Sequence, residues 1–193
     1  MVKNIILFAS GNGTNAENIV KYFQGSSGVK VAALFCNNPK AGVIERMNRL
    51  NVPVHLFDKK SFHDENTFLP LVEKYNPQLI VLAGFLWLIP IWLIKHFPHK
   101  IINIHPALLP KYGGKGMFGH HVHEAVVASG EKEHGITVHE VNQHYDEGPP
   151  LFQAKFEITK DDNVESVSKK IAQLEMTWFP EIISKILSGS LAK

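Results

Sequence analysis

The sequence predicts an α/β fold: a Rossmann-like, mostly parallel sheet flanked by helices, with antiparallel strands in the C-terminal part. Three observations predict it. Apolar runs of strand length alternate with stretches of helical periodicity as far as Ile104. Those runs are nearly continuous, as in strands buried on both faces of a parallel sheet joined by right-handed crossovers. From Gly135 the pattern changes to period-two alternation, which suits antiparallel or edge strands.

The elements follow in order. Lys3–Ala9 is the first strand, broken at Gly11 and Gly13, and Ile19, Val20 and Phe23 give the next helix its apolar face. Val29–Cys36 is a second strand, stopped by Asn37, Asn38 and Pro39. Val43, Met47 and Leu50 mark a helix, and residues 53–57 a short third strand. Residues 62–75 are expected as one helix with Phe62, Leu69, Val72 and Tyr75 facing inward, ended by Pro77. Residues 79–83 and 101–104 are buried strands, and 135–141 and 151–158 alternate. Val164, Val167, Ile171, Leu174 and Trp178, continued by Ile182 and Ile186, make a long amphipathic C-terminal helix with a kink expected at Pro180.

With 193 residues, 45% hydrophobic and 20% charged, the chain can bury a sizeable core, which argues against disorder. A net charge of +2 without a clustered basic stripe gives no reason to expect a nucleic-acid partner. Residues 79–94 carry no charge, but they fall short of the roughly 20 residues a spanning helix needs, and Gly84 and Pro90 interrupt them. No membrane association is expected. The N-terminal apolar run is shorter than that of a signal peptide, and the single cysteine, Cys36, cannot form an intrachain disulfide, so a cytoplasmic location is expected.

Two segments carry chemistry. Gly11, Asn12, Gly13, Thr14 and Asn15 link the first strand to the first helix, where glycines let backbone amides approach an anion. The loop lacks the Walker A ending and the third glycine of the dinucleotide fingerprint; it is a phosphate site or a plain strand–helix turn. Asn103 and His105 lie two residues apart at the end of a buried strand, on the same side, where open α/β sheets bind ligands. An amide donor beside an imidazole suits a carbonyl that becomes an oxyanion, and the alternative is a capping turn. Asp146, in a later loop, is their carboxylate partner or a solvated loop residue. His121 and His123 would share one strand face, with His120 and His139 nearby, but no ligand spacing of a known metal site occurs, and no metal is expected.

The blocks Ser10-Gly11-Asn12-Gly13-Thr14-Asn15, Leu82-Ala83-Gly84-Phe85, Asn103-Ile104-His105-Pro106-Ala107-Leu108-Leu109-Pro110 and Asp146-Glu147-Gly148-Pro149 occur in this order along almost the whole chain. In this the sequence resembles the folate-dependent phosphoribosylglycinamide formyltransferases of the formyltransferase family. The resemblance implies the formyltransferase fold over residues 1–193 as a single domain, with a phosphate-binding half (1–100) and a catalytic, folate-binding half (101–193). It implies transfer of a formyl group from 10-formyltetrahydrofolate, as co-substrate, to the amine of glycinamide ribonucleotide in purine biosynthesis, by a monomer or homodimer acting on small molecules. The length is expected to set the chain apart from methionyl-tRNA formyltransferase and formyltetrahydrofolate hydrolase, which carry further domains.

By the same resemblance, Asn103, His105 and Asp146 are catalytic. Gly11, Asn12, Gly13, Thr14 and Asn15, with Pro106, Gln173 and Glu175, would bind the ribonucleotide. Phe85, Leu86, Trp87, Leu88, Ile89, Asn103, Val141, Asn142, Gln143, His144, Tyr145 and Asp146 would bind folate. A protonated His105 is expected to join Asn103 as a second donor to the oxyanion, with Asp146 favouring the imidazolium. Three departures from the family pattern stand out: Leu86-Trp87-Leu88 where many relatives carry an Arg, Ala107 where they often carry Ser, and a longer, glycine-rich segment at 113–119 that is expected to be mobile. The rival expectations are a formyltransferase for another amine, such as an amino-sugar nucleotide, and a non-catalytic nucleotide-binding module.

Overall fold

Uninterrupted apolar runs become strands covered on both faces. The computed structural model describes residues 2–25 and 28–191, which fall into two compact units, Met1–Ile102 and Asn103–Lys193. In the first unit lie β1 (Lys3–Ala9), α1 (Thr14–Phe23), β2 (Val29–Cys36), α2 (Val43–Arg49), β3 (Val54–Leu56), α3 (Lys59–His63), α4 (Glu65–Glu73), β4 (Leu79–Leu82) and α5 (Ile91–His96). The strand order is β3-β2-β1-β4, and each neighbouring pair is parallel. Residues 5–9 of β1 are fully buried, as a central parallel strand requires. Phe8 stacks on Phe35 at 5.0 Å and meets Phe57, Phe62, Phe68 and Phe85, so one aromatic cluster holds the unit's core.

The helix expected over 62–75 is two helices. Asp58 caps α3 in a box with Ser61, and Asp64 caps α4 through the Asn66 amide. This restart rephases the second helix, so Phe68 and Val72 are buried where Leu69 and Tyr75 were expected to join Val72.

In the second unit, β5 (Ile101–His105) enters at Asn103 and is followed by α6 (His120–Ala128), β6 (Glu133–Glu140), β7 (Pro150–Glu157) and α7 (Val164–Ser188). Its strand order is β5-β6-β7. β6 and β7 pair antiparallel, with Ile136 opposite Ala154 and a register shift between Val138 and His139. An Asn163–Ser166 capping box starts α7, left-handed Gly189 ends it, and Pro180 is buried inside one continuous helix. The class is therefore α/β: parallel strands with flanking helices, and antiparallel pairing in the C-terminal part.

Candidate active site

β5 ends on Asn103-Ile104-His105, and strand alternation turns the first and third of these the same way. His105 is 3% exposed. Its Nε2 lies 2.7 Å from the carbonyl oxygen of Tyr112, a residue in the left-handed region at φ 57°. A carbonyl only accepts, so Nε2 carries a proton, and in the neutral ring Nδ1 is a bare lone pair. That Nδ1 lies 3.5 Å from Oδ2 of Asp146. Asp146, also left-handed at φ 57°, accepts from the Gly114 amide at 3.0 Å. Asn103 Nδ2 is 3.5 Å from the other carboxylate oxygen. The structure thus brings the three sequence-predicted residues together within the second unit.

Burial pushes the His105 pKa down, Asp146 and the Tyr112 carbonyl push it back up, and His139 adds to the lowering; the net direction is down. Burial works to raise the Asp146 pKa, but the contacts with His139, His105 and the Gly114 amide leave it below the usual carboxylate value. The protonated His105 expected from the sequence is not favoured by its burial, which lowers its pKa more than Asp146 and the Tyr112 carbonyl raise it. Nor is Nε2–H free to meet a substrate oxygen, since Tyr112 engages it. What the pair can do is take a proton at Nδ1, which would turn the 3.5 Å contact with Asp146 into an ion pair.

Two residues in this cluster were missed as site residues. His139 Nε2 lies 3.1 Å from Asn103 Nδ2 and 3.6 Å from Asp146 Oδ1. Its sequence signal was its place at the end of an alternating strand that precedes the Asp146 loop. Tyr112 acts through its carbonyl, which no side-chain pattern announces.

In the first unit, the Gly11–Asn15 segment follows β1 at its carboxyl end, and Ser10 N–H donates to the Gly84 carbonyl beyond β4 at 3.0 Å. This sets the glycine loop beside the start of the Phe85–Ile89 segment, with Leu86 N–H donating to Ser10 Oγ at 3.1 Å. The first turn of α1 has no side-chain cap, the condition under which its amides can meet an anion. Arg46 of α2 braces the loop: its Nε donates to the Asn12 carbonyl at 2.9 Å and its Nη1 pairs with Glu17. Gly13 holds φ 80°, and a Cβ there would lie 2.3 Å from a methyl of Val43. Gly13→Val is therefore expected to displace the loop and weaken binding of inorganic phosphate about tenfold or more. Calorimetric titration with inorganic phosphate checks it; unchanged binding would sink the phosphate role.

The remaining expected residues divide. Trp87 packs half-buried against Phe57 and Phe62, each at 5.9 Å, while Leu86 and Leu88 are exposed. Val141, Asn142, Gln143, His144 and Tyr145 form the irregular connection into Asp146, with Asn142 Oδ1 accepting from the His144 amide. Pro106 is half-buried after β5; on α7 Gln173 is exposed and Glu175 half-buried. Residues 113–119 form a turn-rich connection that reaches Asp146 through Gly114.

His121 and His123 do not share a strand face. They lie on α6, where two residues span about 200°, so His123 is buried and His121 exposed. Among the described residues no group of three or more His, Cys, Asp or Glu could hold a metal ion, and no helix is long and apolar enough to cross a membrane. His123 Nδ1 instead lies 3.2 Å from His134 Nε2. Burial, then His123 and His105, push His134 down to about 4, and burial leads the lowering of His123. The unfolded chain, with histidines near 6.5, then binds more protons between pH 6.5 and about 4, so stability falls as pH drops through that window. The loss from His134 is expected to reach about 3 kcal/mol. Urea unfolding between pH 7.5 and 4 checks it, and a His134→Gln chain that keeps the whole slope would refute it.

Residues 3–183 match the family described as Formyl transferase. The chain is 36% identical over 191 residues to the phosphoribosylglycinamide formyltransferase of Bacillus subtilis, covering 96% of this chain and 95% of that one. It is 35% identical over 190 residues to the chloroplastic phosphoribosylglycinamide formyltransferase of Arabidopsis thaliana, covering 95% of this chain and spanning 65% of that protein's length. The crystal structure of glycinamide ribonucleotide transformylase 1 from Geobacillus kaustophilus is similar with a TM-score of 0.87 at 33% identity, over 97% of this chain and 100% of that one. The chain belongs to the formyl transferase family, and these relatives within it are phosphoribosylglycinamide formyltransferases.

Proposed function

We propose that this chain is a cytoplasmic transferase that moves the formyl group of 10-formyltetrahydrofolate to the amine of glycinamide ribonucleotide, giving formylglycinamide ribonucleotide and tetrahydrofolate in purine biosynthesis. The observation that carries the reading is the convergence of Asn103, His105 and Asp146, with an imidazole nitrogen facing a carboxylate at 3.5 Å. A relative bearing that name, of which the chain covers 95%, supports it.

The neutral amine attacks the formyl carbon, and the formyl oxygen gains negative charge. Asn103 donates an amide hydrogen to that oxygen; one such donor is typically worth about 10²–10³ in rate. The ammonium formed on attack must lose a proton, and the departing folate nitrogen must gain one. His105 Nδ1, stabilised by Asp146 once charged, takes the first and returns it to the second, so the carbon–nitrogen bond to folate breaks with no net proton change. Gly11, Asn12, Gly13, Thr14 and Asn15 hold the ribonucleotide phosphate through backbone amides. Pro106, Gln173 and Glu175 contact the rest of that substrate. Phe85, Leu86, Trp87, Leu88 and Ile89, and separately Val141, Asn142, Gln143, His144 and Tyr145, serve the folate. No metal takes part in the proposed steps.

Turnover with 10-formyltetrahydrofolate against glycinamide ribonucleotide, an amino-sugar nucleotide and no acceptor tests the proposal. Formyl transfer to the first alone is the expected result. Preferred transfer to the second would reassign the acceptor, and binding of nucleotide without turnover would reduce the chain to a binding module.

A further inference from the structure

His139 takes no part in the steps above, yet it is tied at both ring nitrogens and only 2% exposed. It sits at the end of β6, just past the register shift of the β6–β7 ladder. Its Nδ1 lies 2.8 Å from the Glu140 carbonyl oxygen. Because that oxygen only accepts, Nδ1 donates to it; when the ring carries one proton, Nε2 is then an acceptor, and that nitrogen also stands 3.6 Å from Asp146 Oδ1. Nε2 lies 3.1 Å from Asn103 Nδ2, and Asp146 Oδ1 lies 3.5 Å from the same nitrogen. Two acceptors thus face one end of a carboxamide. Turned over, Asn103 would set its own oxygen against a lone pair and a carboxylate, leaving three acceptors together without a proton.

We infer that His139 is a positioning residue for formyl transfer: as the Nδ1–H tautomer it accepts one amide hydrogen of Asn103, fixes which end of the carboxamide faces the reacting oxygen, and leaves the second N–H to donate to it. The 3.5 Å separation from Asp146 is long for a hydrogen bond, so that second N–H can turn to a stronger acceptor. The backbone sets the tautomer through Glu140, the tautomer sets the amide, and the amide meets the charge that develops. The inference rests on the formyl-transfer reading for its consequence, but its geometry stands apart from turnover.

Two measurements test it. In long-range proton–nitrogen spectra of labelled protein, His139 is expected as the neutral Nδ1–H tautomer, with an Nε2 resonance that moves on Asn103→Ala. An Nε2–H tautomer, or an Nε2 resonance indifferent to Asn103→Ala, would overturn the inference whether or not the chain transfers formyl groups. In kinetics, His139→Ala is expected to lower kcat about 10–100-fold while each KM stays within about threefold, since the loss is made only as charge develops. His139→Gln, whose Oε1 can accept, should recover part of the loss. The double variant with Asn103→Ala should be no slower than Asn103→Ala alone. Additive losses would show that His139 acts by another route and defeat the inference. An inactive wild-type chain would defeat the formyl-transfer reading instead, with the tautomer and the Asn103→Ala response still deciding the placement.

Discussion

Asp146→Asn is expected to lower kcat by about 10³, the combined scale of a lost proton relay and a disturbed oxyanion donor, while the folded chain melts within a few degrees of the parent. Among the described residues the carboxylate meets the Gly114 amide at 3.0 Å, His105 Nδ1 at 3.5 Å, Asn103 Nδ2 at 3.5 Å and His139 Nε2 at 3.6 Å. An asparagine keeps the shape but brings an NH2 group into a space where two N–H donors already point. More consequentially, it removes the charge that would stabilise a proton on His105 Nδ1. Burial holds that ring below its ordinary pKa even with the carboxylate present; without it, the cationic ring lies further out of reach. His105→Ala should be impaired to a similar degree, and the double variant little more than the worse single, as for groups that act as one unit. Steady-state and single-turnover rates, with folate binding measured on the same proteins, check this. Near-normal turnover in Asp146→Asn would refute the relay, and full additivity with His105→Ala would separate the two roles.

How much of this was legible in the sequence depends on how local each signal is. Asn103 and His105 could be read because alternation within one strand places both, and the turn after β1 could be read because glycines announce it. The split between α3 and α4 was written locally as well, in Asp58 with Ser61 and in Asp64, but the apolar spacing across 62–75 masked it. α6 was misread as a strand face because its polar run of histidines hides the i, i+4 pair Val122 and Val126, both fully buried. The charge state of His105 was out of reach: it depends on how deeply the ring is buried and on a carbonyl at Tyr112, and neither is a property of residue type. His139 was missed for a related reason. Its value lies in what stands across from it, and the pairing of Asn103 with a residue 36 positions later is set by strand order, not by periodicity.

Gly148→Ala is expected to destabilise the chain by about 3 kcal/mol and to lower kcat at least tenfold, although alanine adds one methyl group. The position needs no left-handed backbone. Its constraint is space: a Cβ there would lie 1.7 Å from the Glu140 carbonyl oxygen and 2.8 Å from its carbon. Both are backbone atoms at the end of β6, and neither can rotate away as a side-chain tip could. Relief requires the segment around Gly148 and the end of β6 to separate, which breaks the Glu140 N–H bond to the Pro149 carbonyl at 3.0 Å. That same Glu140 carbonyl receives His139 Nδ1–H, and Asp146 stands two residues before the glycine. One displacement would thus loosen the tautomer-setting acceptor and the carboxylate together. Urea unfolding and kinetics on the same preparation distinguish the consequences. A change in stability below about 0.5 kcal/mol with intact kcat would show that the loop yields without cost, whereas lost stability with intact kcat would show that the Asp146 placement does not depend on this contact.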